Sequence, residues 1–253
     1  RDILGMCLGA TLAAEQGSQN AYSTDQNVEI FKQDDVKYVN VDTTYVGGIE
    51  RGKKINLVAS GLVDIIISPY VAPISDLFTP MNRGRMFTIV RHPIFRAAAQ
   101  YEHLKTVDRD IAQMTMVQYA SSKKIENNWM TRFLSNKLTG EVTSEHLVFA
   151  KEVLRTKCLV GLFDNMWASL KRFEEYYGWQ YVTDPGNQYQ CRKQALVDNV
   201  DRYQIKGKEI KEGDNEWTML LWQNKFDMKL FHYAQQLFKE QVSLFPEGKV
   251  PLQ

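Results

Sequence analysis

The chain has 253 residues, of which 44% are hydrophobic and 11% aromatic. This composition is enough to bury a core within one globular domain and is unlike that of a disordered chain. The 31 basic and 30 acidic side chains leave a formal net charge of +1, so no overall field favours nucleic acid or an anionic membrane. No apolar run approaches the roughly 18 residues that a membrane-spanning helix requires. Any anionic ligand must therefore be bound by a local site.

The three cysteines, Cys7, Cys158 and Cys191, are too few and too scattered for a disulfide framework or a zinc site. One disulfide can form, and the odd count then leaves at least one thiol free. We expect no metal.

The first part of the chain predicts alternating helices and strands. We expect a helix over residues 2–15, strands over 36–41 and 63–67, and a short helix with a turn within 52–60. Continuous apolar runs such as DIIIS indicate strands that are covered on both faces. With a third strand at 86–90, this order predicts a mixed α/β fold with a parallel central sheet flanked by helices.

After residue 94 the pattern is mostly helical. The predicted elements are helices over 107–119 and 125–137, a helix that begins near Thr143, a strand at 159–162, a helix from Asp164 that ends at Gly178, and a final helix over 227–244. Residues 180–215 are predicted to be a loop or an insertion.

One stretch, RMFTIVRHPIFRAAAQY (85–101), joins a predicted strand to a predicted helix. Met86 to Val90 has the composition of a strand, and Pro93 stands at the first turn of a helix over 94–104. Anions collect between the carboxyl end of a strand and the amino end of the next helix, which is where Arg91 is expected. Taken alone, the pattern also fits an arginine that pairs with a surface carboxylate.

The same stretch resembles the 3′-phosphate-binding segment of Golgi-type carbohydrate sulfotransferases, whose usual form is a strand followed by R-(D/N)-P-x-x-R-x-x-S-x-Y. Four residues stand at matching positions: Arg91, Pro93, Arg96 and Tyr101. Further segments agree with the family in order: NNWMTRFLSNKL (127–138), residues 150–179, and NKFDMKLFHYAQQLFKEQ (224–241). The similarity covers about residues 1–245 and is closest to sulfotransferase-like proteins of microalgae.

The resemblance implies a single domain over residues 1–253 with a P-loop-like three-layer fold. It also implies transfer of a sulfuryl group from 3′-phosphoadenosine 5′-phosphosulfate (PAPS) to a hydroxyl of a carbohydrate or other small acceptor. Arg91 is thereby assigned to the 3′-phosphate of the donor, which suits a bidentate guanidinium. Arg96 is either a second phosphate contact or part of a structural ion pair, and we favour the structural role. The compartment implied is the Golgi lumen or another secretory compartment, and a plastid or other organelle stays open.

Two substitutions depart from the family pattern. Ala99 stands where the family has a serine hydroxyl for the same phosphate, so one donor is lost. His92 replaces the usual acidic or amide residue, and its role is either catalytic or that of a cap or loop contact.

Two further features of the family do not occur in the sequence. The 5′-phosphosulfate loop and first strand should precede Arg1, so we expect either a fragment of a longer protein or another segment in the place of that strand. The segment IIISPYVAPISDLF (65–78) contains no histidine or glutamate to take the acceptor's proton, so we assign no catalytic residue. Together with Ala99, these absences define an alternative function, a catalytically degenerate subunit that binds partners in a larger assembly. A P-loop kinase or other NTPase is disfavoured because no G-x-x-x-x-G-K-(S/T) motif occurs.

Overall fold

The computed structural model describes residues 3–20, 27–182, 185–203 and 210–246. The chain divides into two compact units. The first consists of residues 1–85 and 179–200, and the second of residues 86–178 and 201–253. Both units combine helices with short parallel strands, so the predicted mixed α/β class is confirmed. The prediction of one domain over 1–253 stays a prediction.

The described strands are β1 (Thr11–Ala13), β2 (Ile30–Gln33), β3 (Val36–Val39), β4 (Ile65–Ile66), β5 (Met86–Val90) and β6 (Cys158–Leu162). The described helices are α1 (Val46–Lys54), α2 (Val71–Ser75), α3 (Pro93–Val107), α4 (Arg109–Ala112), α5 (Met116–Ser121), α6 (Trp129–Leu134), α7 (Ser144–Lys157), α8 (Met166–Tyr177), α9 (Pro185–Tyr203), α10 (Asn215–Gln223) and α11 (Lys225–Glu240). A π-helical turn covers Ile3–Cys7, and 3-10 turns cover Glu15–Asn20, Phe163–Asn165 and Gln241–Leu244. No described helix is long and apolar enough to cross a membrane.

The first unit is built on a four-stranded sheet in the order β2-β3-β1-β4. β1 is parallel to both β3 and β4, whereas β2 is antiparallel to β3. Asp34 and Asp35 join β2 to β3, and both have positive φ angles, 47° and 62°. A two-residue hairpin turn needs this backbone to match the twist of its strands, and aspartate tolerates it better than most residues.

The helix predicted over residues 2–15 is wrong. Its described part forms the short turn Ile3–Cys7 and then the strand β1. Gly9 has a φ of +67°, which interrupts a helix, and Leu12 and Ala13 are fully buried between the neighbouring strands. Tertiary pairing has overridden the helical pattern. β1 therefore occupies the centre of the parallel part of the sheet.

A disulfide between Cys7 and Cys191 links the first turn of this unit to α9, with 5.9 Å between the two Cα atoms. The backbone N–H of Val182 also donates to the Cys7 carbonyl at 3.1 Å. Cys158 is the free thiol, and it is buried in the second unit. Residues 180–215 were predicted to be a loop or an insertion. Residues 185–203 of that range form α9 rather than a loop, and the insertion stays a prediction. Residues 183, 184 and 204–209 of the range lie outside the described residues.

The second unit contains β5 and β6, a parallel pair in which Met86 lies opposite Cys158 and Val90 opposite Leu162. The strand predicted at 86–90 is confirmed at those bounds, and the strand predicted at 159–162 begins one residue earlier. β5 and β6 form a sheet of their own. The described strands therefore belong to two small sheets, whereas we expected one central sheet.

The helices of the second unit follow the prediction in part. α3 begins at Pro93, α7 is opened by a capping box between Thr143 and His146, and α8 ends at Gly178 in the left-handed conformation, all near the predicted positions. The helix predicted over 107–119 is instead two short helices, because Thr115 and Gln118 form a capping box that starts α5. The helix predicted over 125–137 is shortened to α6.

Two clusters of buried side chains hold this unit together. The first joins β5, β6, α7 and α11 through residues that include Val90, Leu154, Val160 and Leu230. The second packs α3 against α5 and α10 through Ile94, Ala97, Ala98, Ala120 and Leu220. The end of β5 and the beginning of α3 are thus anchored on both sides, which fixes the position of the residues between them.

Candidate anion-binding site

The carboxyl ends of β5 and β6 lie side by side. Val90 is paired with Leu162, so the residues that follow these two strands are neighbours at one edge of the sheet. Arg91 and His92 follow β5, and Phe163 and Asp164 follow β6. Together with Arg96 from the first turn of α3, we call these residues the elbow cluster. This edge is the place where parallel sheets bind ligands.

Arg91 is half-buried in the elbow cluster. Its guanidinium carbon lies 4.7 Å from the centre of the Phe163 ring. Burial lowers the pKa of Arg91 from its ordinary value, the charge of Asp164 acts in the opposite direction, and the charge of Arg96 lowers it further. An arginine stays protonated under such shifts, so Arg91 is a cation, and Arg96 and Asp164 are among the charged groups that act on it.

Arg96 is held by contacts with the segment that leads into α6. Its Nη2 donates to the Glu126 carbonyl at 3.2 Å, and its guanidinium carbon lies 5.1 Å from the centre of the Trp129 ring. Burial lowers the pKa of Arg96, whereas Asp227 and Glu126 act in the opposite direction. These contacts hold the guanidinium against the segment before α6, and the choice between a phosphate contact and a structural ion pair stays a prediction. The Nε–H is nevertheless buried without an acceptor.

The helices α6 and α11 cap each other at their amino ends, and one residue of this network, Asp227, acts on Arg96. The carboxylate of Asp227, in the first turn of α11, accepts hydrogen bonds from the Met130 and Thr131 backbone N–H groups at 2.9 and 2.8 Å and from the Thr131 hydroxyl at 2.7 Å. In return, Asn128 Oδ1, at the start of α6, accepts from the Phe226 N–H at 2.9 Å and the Asp227 N–H at 3.3 Å. Burial raises the pKa of Asp227, while these donors and Arg96 oppose the shift.

This reciprocal capping connects two distant segments of the chain, 127–138 and 224–241. Each supplies half of one hydrogen-bond network. We did not predict it from the sequence. The available signal was an asparagine or aspartate at the start of each helix: Asn128 before α6, and Asn224 and Asp227 at α11.

His92 lies among aromatic rings. Its ring centre is 4.9 Å from that of Phe95, 5.5 Å from Trp217 and 5.1 Å from Phe231. It is the N-cap residue of α3 but makes no side-chain capping hydrogen bond, and its Nδ1 is buried without a partner. Burial lowers the pKa of His92, Asp164 acts in the opposite direction, and His232 lowers it further. The side chain of His92 therefore does not cap α3, and the roles that the sequence left open for it stay predictions.

The two remaining residues of the motif differ in what they contribute. Tyr101 is buried, and its hydroxyl donates to the Met114 carbonyl at 2.7 Å, so it fixes α3 against the segment that leads into α5. Ala99 is half-buried on α3 and brings no hydrogen-bonding group to the site. Among the described residues, no group of three or more His, Cys, Asp and Glu side chains is arranged to hold a metal ion.

Comparison with known proteins identifies no relative. No protein-family model matches this chain, and neither a curated protein nor a solved structure matches it.

Proposed function

We propose that this chain is a PAPS-dependent sulfotransferase domain with a P-loop-like fold, which binds the 3′-phosphate of the donor at the elbow cluster. The observation that supports this most is the pair of arginines, Arg91 and Arg96, whose charges influence each other at the edge of a parallel strand pair. The adjacent amino end of α3, a helix of 15 residues, adds a partial positive charge at the same place. A bound anion relieves the repulsion between the two guanidinium groups.

A phosphate monoester fits this site better than a carboxylate does. Near neutral pH it carries between about 1.5 and 2 negative charges, and its oxygens accept two parallel hydrogen bonds from one guanidinium. Asp164, the carboxylate near Arg91, carries one charge at most. The phosphate therefore competes successfully with Asp164 for Arg91. Arg91 lies over the Phe163 ring, and a guanidinium that stacks on a ring can still donate hydrogen bonds through its edge.

In the proposed reaction, an acceptor hydroxyl oxygen attacks the sulfur of PAPS in line. The new bond joins that oxygen to sulfur, and the bond between sulfur and the bridging phosphate oxygen breaks. The products are a sulfate ester and 3′-phosphoadenosine 5′-phosphate (PAP), and the hydroxyl proton passes to a base. The elbow cluster contributes to this step by holding the 3′-phosphate and so orienting the donor. We assign no residue as the base.

The direct test is the substitution Arg91→Ala. Because a hydrogen bond to a charged group contributes about 1.5 to 3 kcal/mol, we expect the dissociation constant for PAP to rise about 10- to 100-fold. Isothermal titration calorimetry measures this change. Arg155→Ala is the control, because Arg155 is an exposed arginine that pairs with Glu152 on α7, and it should leave the affinity unchanged. Equal affinity of wild type and Arg91→Ala would contradict the assignment of Arg91.

A second substitution tests the assignment of position 99. The resemblance places a phosphate-binding hydroxyl there, so Ala99→Ser should restore one hydrogen bond to a charged group and tighten PAP binding about tenfold. Ala112→Ser, at an exposed position of α4, is the matched control that adds the same hydroxyl elsewhere. If both serine variants bind PAP as the wild type does, the 3′-phosphate does not reach position 99.

The alternative function is a sulfotransferase-like subunit that binds partners without catalysis. Ala99 favours it, as does the lack of histidine and glutamate in residues 65–78. Both proposals predict binding of PAP, but only the enzyme releases PAP from PAPS when carbohydrate acceptors are present. Nucleotide binding without any release of PAP would favour the subunit.

A further inference from the structure

His92 has more hydrogen-bonding capacity than its surroundings use. Its Nδ1 is buried without a partner, and its side chain caps no helix. Rings from α3, α10 and α11 pack around it, namely Phe95, Trp217 and Phe231. This packing holds the imidazole in one place at the beginning of α3, one residue after Arg91.

The charged groups that act on His92 come from two elements. Asp164 faces it from the end of β6 and favours its protonation, whereas His232 on α11 opposes it. The ring from α10, Trp217, is uncharged. Asp164 also acts on Arg91, which precedes His92 on the chain, while Asp227 and Glu126 act on Arg96. An imidazolium is unfavourable in the empty site and becomes favourable when an anion is bound.

We infer that His92 is a proton-dependent ligand of the elbow cluster, neutral when the site is empty and protonated when a phosphate or sulfate group binds beside Arg91. The inference rests on the anion site of the proposed function, but it does not depend on which molecule carries the anionic group.

The direction of the pH dependence follows from the surroundings of the ring. Burial lowers the pKa of His92 below its ordinary value of about 6.5, so the imidazole of the empty site is neutral at pH 7. A bound anion raises the pKa, because opposite charges stabilise each other. Binding therefore takes up a proton, and the affinity for the anion rises as the pH falls toward and below the ordinary histidine value. One proton allows at most about a tenfold gain for each pH unit.

Inorganic sulfate is the suitable probe. A phosphate monoester itself gains a proton near pH 6, which would mix the titration of the ligand with that of the protein. Sulfate keeps both charges from pH 5 to pH 8, so any change in its affinity over this range reports on the protein. We expect sulfate to bind about tenfold more tightly at pH 5.5 than at pH 7.5.

His92→Gln removes the titrating group and should make sulfate affinity nearly independent of pH. His103→Gln is the matched control, because His103 lies on the same helix and is exposed, and it should keep the pH dependence of the wild type. The wild type also offers a measurement that needs no variant. The chain has four histidines, and their imidazole C–H signals can be followed by NMR. With sulfate present, the pKa of one histidine should rise well above its value without sulfate, and that signal should be missing from His92→Gln.

The inference is overturned if sulfate affinity in the wild type does not change with pH, if His92→Gln keeps the full dependence, or if no histidine pKa responds to sulfate. A failure of the proposed function gives a different result in the binding experiments. In that case PAP binds no more tightly than sulfate does, while the pH dependence of sulfate binding and its loss in His92→Gln still support the role of His92.

Discussion

Asp227→Ala is expected to lower the free energy of unfolding by about 3 to 5 kcal/mol. The wild-type carboxylate is fully buried and accepts three hydrogen bonds from Met130 and Thr131 at the start of α6. Alanine leaves these donors buried without an acceptor and leaves Arg96 without the negative charge that acts on it from this side. Urea unfolding monitored by circular dichroism measures the loss.

Asp108→Ala is the matched control for this substitution. Asp108 also caps a helix, because its carboxylate accepts from the Asp110 and Ile111 N–H groups of α4 at 2.9 and 3.1 Å. Its side chain is 34% exposed and pairs with Lys124, so water replaces the lost contacts. We expect a much smaller loss of unfolding free energy than for Asp227→Ala. Equal losses of unfolding free energy for the two substitutions would contradict the idea that burial increases the contribution of the Asp227 carboxylate.

Removal of the Cys7–Cys191 disulfide is the second change with a large expected effect. The two cysteines are 184 residues apart, so the bond restricts the unfolded chain strongly, and its loss should cost about 2 to 5 kcal/mol. The double variant Cys7→Ser/Cys191→Ser should therefore unfold at a lower temperature than the oxidised wild type.

A reducing agent separates the effect of the bond from that of the side chains. It should lower the unfolding temperature of the wild type to near that of the double variant and leave the double variant unchanged. The remaining thiol, Cys158, is buried, and burial raises its pKa to about 12, so it reacts slowly in either protein. An unfolding temperature of the wild type that does not respond to reduction would contradict a structural role for the disulfide.

The elbow could be predicted from the sequence because its signals are local. The bounds of β5 follow from a short run of β-branched and aromatic residues, and the beginning of α3 follows from Pro93. Arg91 and His92 stand between these signals, so their position needed no knowledge of tertiary contacts. The end of α8 at Gly178 was predictable for the same reason, since a glycine in the left-handed conformation terminates a helix within its own segment.

The partners of the elbow could not be predicted, because strand pairing and helix packing bring them from distant parts of the chain. Phe163 and Asp164 reach Arg91 only because β6 pairs with β5, and Asp227 reaches α6 across 96 residues or more. The strand β1 was missed because its pattern also fits a helix, and only its place between β3 and β4 selects the extended form. α9 was missed because its mixed charged sequence carries a weak helical signal.

Reciprocal capping also couples fraying of the first turn of α6 to fraying of the first turn of α11. If the first turn of α6 frays, the Asp227 carboxylate loses its donors, and if the first turn of α11 frays, Asn128 loses the N–H groups that it accepts from. Bringing these two distant segments together costs conformational entropy only once, and this single step allows the whole set of hydrogen bonds to form. Local unfolding at this point is therefore a single concerted event. The capping hydrogen bonds between α6 and α11, which include Asp227 and its charge on Arg96, form together or are lost together.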